Sequence, residues 1–247
     1  MSFWNHTDLV LNPRFAHLEA FVRSLPARFA REEGQLIHDG RNKLRVVTYE
    51  GVDYVVKRYR RPNFVNRYVY GVLRPSKALR AYRNALRYEA IGVGTPSPVA
   101  YYTLRRGLAF DDSYFVTLLS TCPHRYEDLF TESIPYADEV LSEIGRVTAR
   151  LHEHGLAHKD YGRANILFEQ RPDGTVRLDI VDLNRMDIGP INMEKGCKNF
   201  ERLPATAHMH RVMAEAYAKA RGYDAEACYR LMRHFRSTQP GQVEGEF

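Results

Sequence analysis

His158-Lys-Asp160-Tyr-Gly-Arg163-Ala-Asn165-Ile-Leu167 is the stretch on which the fold turns. It leaves a helical pattern and enters an apolar strand pattern, so Asp160 and Asn165 are polar residues in a loop set between buried elements. Downstream, Ile180-Val-Asp182-Leu-Asn184-Arg185 puts a second carboxylate at the end of an apolar strand. The two stretches flank one hairpin, which brings two carboxylates and a carboxamide to the same edge. Such a set of hard oxygen donors suits Mg²⁺, which takes one or two carboxylates together with substrate phosphates. Taken singly, each residue also has an ordinary use: Asp160 as a turn cap, Asp182 as an acceptor for turn amides.

Working outward, Tyr136 to His154 carries Val140, Leu141, Ile144, Val147, Thr148 and Leu151 at helical spacing. The hairpin strands are Asn165 to Glu169 and Val176 to Leu183, joined by Arg171-Pro-Asp-Gly174, and helices follow at Ala205 to Arg221 and Ala225 to Phe235. Toward the N-terminus, Phe15, Leu18, Phe21, Val22 and Leu25 predict a short helix that Pro26 ends. Strands are predicted at Gln35 to His38, Leu44 to Tyr49 and Val52 to Tyr59, with turns at Asp39-Gly-Arg-Asn42 and Glu50-Gly51. A helix over Ser76 to Ile91 stops at Gly92, Gly94, Pro96 and Pro98, and Val99 to Leu104 and Tyr114 to Leu119 supply two more strands. The element order predicts an α+β protein of two lobes. A five-stranded antiparallel sheet with one helix precedes a mainly helical lobe with a β-hairpin, and a ligand is expected in the cleft between such lobes. The boundaries are an N-terminal helical extension over 1–33, the sheet lobe over 34–120, the helical lobe over 121–236 and a loose tail over 237–247.

Composition narrows the function classes. The 247 residues hold 36 Lys and Arg against 30 Asp and Glu, with 44% hydrophobic residues, enough for a sizeable core. No apolar run approaches the length of a membrane span, and no signal peptide is read at the N-terminus. Cys122, Cys197 and Cys228 are too scattered for a disulfide framework or zinc knuckle, so a reduced, cytoplasmic protein is expected. The charge is uneven: ten basic residues and no acidic one lie between Lys57 and Tyr88, interleaved with Tyr59, Phe64, Tyr68, Tyr70 and Tyr82. That stretch is either a solvated helix face, a surface for a polyanionic substrate or membrane, or a nucleic-acid surface.

In order and element type, His158-x-Asp160-x4-Asn165, Asp182-Leu-Asn184 and the strand lysine of Tyr54-Val-Val-Lys57 resemble the protein-kinase-like signature set. The resemblance implies that Asp160 accepts the proton of the acceptor hydroxyl, Asn165 and Asp182 hold Mg²⁺, and Lys57 neutralises ATP phosphates. More narrowly, Ile37-His-Asp-Gly40-Arg-Asn42-Lys-Leu, Ser76-Lys-Ala with Arg83-Asn-Ala85, Gly92-Val-Gly-Thr-Pro-Ser-Pro-Val-Ala100 and Cys197-Lys-Asn-Phe-Glu-Arg-Leu203 resemble the lipopolysaccharide core kinases of the Kdo/WaaP type, over roughly residues 34–236. What this implies is an ATP- and Mg²⁺-dependent carbohydrate kinase acting on an inner-core sugar, Kdo or heptose, of a lipid A-linked acceptor in a Gram-negative bacterium. It would be cytoplasmic, peripheral on the anionic inner membrane, with no nucleic acid and no obligate protein partner.

The sequence departs from kinases in several places. Gly40 stands where a Gly-rich loop is usual, leaving Gly40, Arg41 and Asn42 to contact phosphates or simply to close a hairpin. Glu89, the only carboxylate of its helix, is the candidate partner of Lys57 but sits in the last turn. Leu118 and Leu119 open the connector expected to meet adenine. Leu183 replaces Phe as a core plug, and Asn184 replaces Gly at a position expected to need left-handed backbone. Arg163 is placed to steady the transferred group or an acidic sugar, and His158 to shape the loop. Two alternatives stand beside this reading. A phosphotransferase for an aminoglycoside- or choline-like acceptor predicts an acidic acceptor site, and a pseudokinase or anionic-ligand binding module predicts binding without turnover.

Overall fold

The computed structural model describes residues 5–59, 75–106 and 109–237. Arg60, Arg61, Arg67 and Arg74 of the basic stretch, the interleaved Phe64, Tyr68 and Tyr70, and the tail from 238 on lie outside the described residues. Contacts divide the chain into two compact units, Met1–Leu86 with Pro96–Leu119 and Arg87–Thr95 with Ser120–Phe247.

The first unit is built on an antiparallel sheet of β1 (Asn5–Leu11), β2 (Gln35–Asp39), β3 (Asn42–Tyr49), β4 (Val52–Tyr59), β5 (Pro98–Arg106) and β6 (Ala109–Leu118). Their order is β1-β5-β6-β4-β3-β2. Glu50 and Gly51 both take positive φ between β3 and β4, the geometry that matches a tight hairpin to strand twist. Where the sequence predicts five strands, the sheet has six: β1 pairs along its whole length with β5, from a segment assigned to a helical extension. Leu9 and Leu11 pack on the core while Val10 between them is exposed, an alternation hidden because all three are apolar.

Helix α1 (Glu19–Ala30) covers one sheet face with Phe21, Val22, Leu25 and Phe29 against Tyr54, Val56, Tyr114 and Val116. It runs through Pro26, which was expected to end it. The lost hydrogen bond is offset by burial of Phe29, whose ring meets Tyr114 edge-on at 5.4 Å, and by the amides of Arg31 and Glu33, which close the last turn on Ala27 and Arg28. Helix α2 (Lys77–Ala90) starts at Ser76, whose Oγ accepts the Leu79 amide at 3.0 Å. Its Ala78, Ala81 and Tyr82 pack with Tyr59 and Tyr101. Because side chains alternate along a strand, Tyr54 and Val56 serve the α1 face while Lys57 and Tyr59 serve the α2 face. Lys57 is buried, and Arg58 pairs with Asp112 at 3.0 Å, so these two basic residues are not part of a freely solvated face.

The second unit carries β7 (His124–Arg125), α3 (Ala137–Glu153), β8 (Leu156–His158), β9 (Ile166–Gln170), β10 (Val176–Ile180), β11 (Met186–Ile188), α4 (Met193–Lys198), α5 (Ala207–Arg221) and α6 (Ala225–Ser237). The expected hairpin is β9–β10; β7 adds a third strand to it, and β8 and β11 form a separate pair. Helices α3 and α5 approach closely at Gly145, where a Cβ would lie 2.6 Å from the Met213 carbonyl oxygen. Among the described residues no helix is long and apolar enough to cross a membrane. All three cysteines are buried and free.

A buried polar chain runs through this core. The Tyr217 hydroxyl meets His152 Nδ1 at 2.9 Å, and His152 Nε2 meets Asn199 Oδ1 at 3.0 Å. Asn199 Oδ1 can only accept, so Nε2 carries the proton and Nδ1 accepts from Tyr217. Asn199 Nδ2 then donates to the His158 carbonyl at 2.8 Å. Gly196 makes room for this: a Cβ there would overlap the Tyr217 hydroxyl. Gly196→Ala should therefore displace Tyr217 from His152 and cost about 1–3 kcal/mol in denaturant unfolding; wild-type stability would contradict that packing.

Burial pulls the imidazoles of His152 and His210 down to about 4. Unfolded imidazoles protonate near 6.5, so the unfolded state gains protons that the folded state refuses as pH falls. Stability should be full above about pH 6.5 and drop toward pH 4, by about 2 kcal/mol per imidazole at pH 5. Urea unfolding at pH 7.5 and pH 5 checks this, and His210→Leu should shrink the loss by about 2 kcal/mol.

Candidate active site

The loops singled out in the sequence are held by strand pairs at both ends. β8 pairs with β11, opposing His158 to Met186, and β9 pairs with β10, opposing Ile166 to Ile180. The segment 159–165 connects β8 to β9, and 181–185 connects β10 to β11, so the two run between the same pairs. Backbone bonds clasp them: Val181 N–H to the Asn165 carbonyl and Lys159 N–H to the Arg185 carbonyl, each 3.0 Å.

His158 fills the space between. Its Nδ1 accepts the Asp160 amide at 3.0 Å, so Nε2 must carry the proton that it donates to the Val181 carbonyl at 3.1 Å. Burial lowers its basicity and favours this neutral form. One imidazole thus fixes the backbone at Asp160 and beside Asp182, the loop-shaping role expected of it.

Asp160 turns its carboxylate into a pocket of about 470 Å³ lined by Gly162, Arg163, Asn165, Arg202, Pro204 and Arg236. Oδ1 accepts from Arg185 Nη1 at 2.9 Å and Arg202 Nη1 at 3.1 Å. The Asn165 amide donates to the Asp160 carbonyl at 2.8 Å, which aims Nδ2 inward and leaves Oδ1 as the free acceptor of that side chain. Arg163, in a single 3-10 turn (Arg163–Asn165), is exposed and only 3.6 Å from Glu127.

Asp182 itself takes the left-handed conformation, at φ 62°, rather than Asn184 as expected. A short polar side chain tolerates that geometry, and the buried Asn184 amide donates to Asp182 Oδ1. Leu183 is buried as the core plug. The Asn165 carboxamide oxygen and the Asp182 carboxylate are hard oxygen donors on the two clasped loops.

In the first unit, Gly40, Arg41 and Asn42 form the β2–β3 turn, where the Gly40 amide bonds the Asn42 carbonyl at 3.3 Å. The amides of Leu118 and Leu119 donate to the Ser97 and Asp53 carbonyls, each at 3.0 Å. A nucleobase at this connector must therefore use groups other than those two N–H donors. Glu89 is half-buried in the last turn of α2, a turn grouped with the second unit.

Sequence reasoning missed Asn199, Arg185, Arg202 and Arg236. The first three lay inside or beside quoted motifs without a role, because a contact spanning 25 or 42 residues has no local signature. Elsewhere among the described residues, His124, Asp128 and Glu132 bring ligand atoms within 4.8 Å of one another. Asp128 already accepts the Arg125 amide and Glu132 already pairs with His124, and none of the three lines the pocket.

Comparison with known proteins identifies the family and the fold. The family model for the lipopolysaccharide kinase (Kdo/WaaP) family matches residues 27–221. No curated protein matches the chain significantly. Among solved structures, WaaP in complex with acyl carrier protein is similar over 93% of this chain and 97% of that one, at 16% identity and a TM-score of 0.64. A microcompartment-associated aminopropanol kinase is similar over 86% of each chain, at 13% identity and a TM-score of 0.57. These two likenesses show a protein-kinase-like fold. With the model covering most of its length, the chain belongs to the Kdo/WaaP lipopolysaccharide kinase family and is a phosphotransferase.

Proposed function

We propose that the chain transfers the γ-phosphoryl group of ATP to a hydroxyl of an inner-core sugar, Kdo or heptose, on a lipid A-linked acceptor at the cytoplasmic face of the inner membrane. The observation that carries this is the clasp around His158, which holds the Asp160 and Asp182 loops in one frame. Family membership implies ATP as donor.

In this reading Asp160 orients the acceptor hydroxyl and takes its proton, while Arg185 and Arg202 on Oδ1 leave Oδ2 for that contact. Asn165 and Asp182 would hold Mg²⁺, which when bound neutralises phosphate charge. Lys57, with Gly40, Arg41 and Asn42, serves the nucleotide phosphates. The Leu118–Leu119 connector would face the base. Arg163, exposed at the pocket, steadies the transferred group. The domain roles follow, with the sheet unit for nucleotide and the helical unit for acceptor and metal.

The charge of the pocket supports an anionic acceptor over an aminoglycoside- or choline-like one, since three arginines line it against the single carboxylate of Asp160. The expectation of no obligate protein partner loses its footing, because the solved relative carries an acyl carrier protein. The decisive assay is ATP consumption with Kdo-lipid A and, separately, heptosylated acceptors, with mass analysis of the product. A phosphate gain on one sugar is expected, and Asp160→Asn should lower transfer by about 10²-fold or more. Phosphorylation of aminoglycosides alone, or full turnover by Asp160→Asn, would overturn the assignment.

A further inference from the structure

Two guanidiniums at the pocket have unequal commitments. Arg202 gives Nη1 to Asp160 at 3.1 Å, yet its side chain is 51% exposed and lines the pocket. Arg236 approaches from the end of α6, and its Nη1 donates to the Glu201 carbonyl at 3.1 Å, one residue before Arg202. Among the described residues Arg236 has no carboxylate partner. It is also partly desolvated, and burial makes its charged form costlier to hold. A half-buried guanidinium at the pocket with no carboxylate partner of its own is a place where an anion gains most.

We propose that Arg202 and Arg236 form an oxyanion subsite that reads a carboxylate or phosphate close to the reacting hydroxyl of the acceptor, and that its occupation draws Arg202 away from Asp160. This rests on the assignment of Asp160 as the residue that meets the acceptor hydroxyl. An acceptor anion competes with Asp160 Oδ1 for the same fork, because planar guanidinium donors prefer bidentate pairing with one oxyanion. Arg185 stays on Asp160 and keeps the carboxylate in place. Acceptor binding thereby leaves Oδ1 to Arg185 alone, and a sugar lacking the anion leaves both guanidiniums on it.

The test uses matched acceptors on the intact chain: Kdo-lipid A, its carboxyl-reduced form and its dephosphorylated form. The wild type should prefer one anionic form over its neutral counterpart by about tenfold or more in kcat/KM, and which form does so identifies the oxyanion as carboxylate or phosphate. Arg236→Gln should raise KM for the preferred acceptor and collapse the KM ratio between the pair, and Arg236→Lys should restore part of it. Arg202→Gln should collapse the ratio and also change kcat, since it touches Asp160. Mg·ATP affinity measured in parallel reports whether each variant folds. An unchanged acceptor ratio in both Gln variants, with nucleotide binding intact, would overturn the subsite while leaving the kinase assignment standing. Failure of the wild type to phosphorylate these acceptors and their heptosylated counterparts would instead overturn the kinase assignment.

Discussion

The neutral imidazole of His158 is the constraint on which the candidate site depends. With Nδ1 taking the Asp160 amide and Nε2 giving its proton to the Val181 carbonyl, one buried ring sets the spacing of two loops whose side chains differ in purpose. Its own carbonyl is held by Asn199, and Asn199 by His152 and Tyr217, so the constraint extends through α3, α4 and α5. A buried network of this kind is costly unless every member is satisfied. Here each has its partner, which is why a single ring can fix a loop that carries a half-buried carboxylate.

The same frame separates the duties of the two acidic loops. Strand pairs at either end leave only residues 159–165 and 181–185 to vary, and the clasp at Asn165 and Arg185 removes most of that freedom. Asp160 can then face the pocket under arginine control while Asp182, in left-handed backbone, presents its carboxylate beside a fixed carboxamide. Phosphoryl transfer asks little covalent chemistry of a protein and much positioning. A rigid backbone with guanidiniums holding the carboxylate meets that demand.

Much of this was legible in the sequence, for local reasons. The β2–β4 strands follow from β-branched runs cut by turn residues, and the candidate catalytic stretch declares itself because Asp160 and Asn165 are separated by one short loop. What escaped was non-local. β1 is apolar on both faces over Leu9, Val10 and Leu11, and only its pairing with β5, about 90 residues away, shows it to be a strand. Pro26 reads as a stop until Phe29 is seen packed on Tyr114. The left-handed residue proved to be Asp182, whose short polar side chain tolerates that geometry as well as Asn184's would. Arg202 and Arg236 reach the pocket from 42 and 76 residues beyond Asp160, a distance at which no spacing rule operates.

The division of labour between the two aspartates is tested most directly by titrating Mg·ATP calorimetrically into the wild type, Asp182→Asn and Asp160→Asn. Loss of a metal ligand should weaken nucleotide affinity by about tenfold or more in Asp182→Asn. Asp160→Asn should bind within about twofold of the wild type, because its carboxylate is assigned to the acceptor. Equal affinity in all three proteins, or weakening by Asp160→Asn alone, would contradict the account.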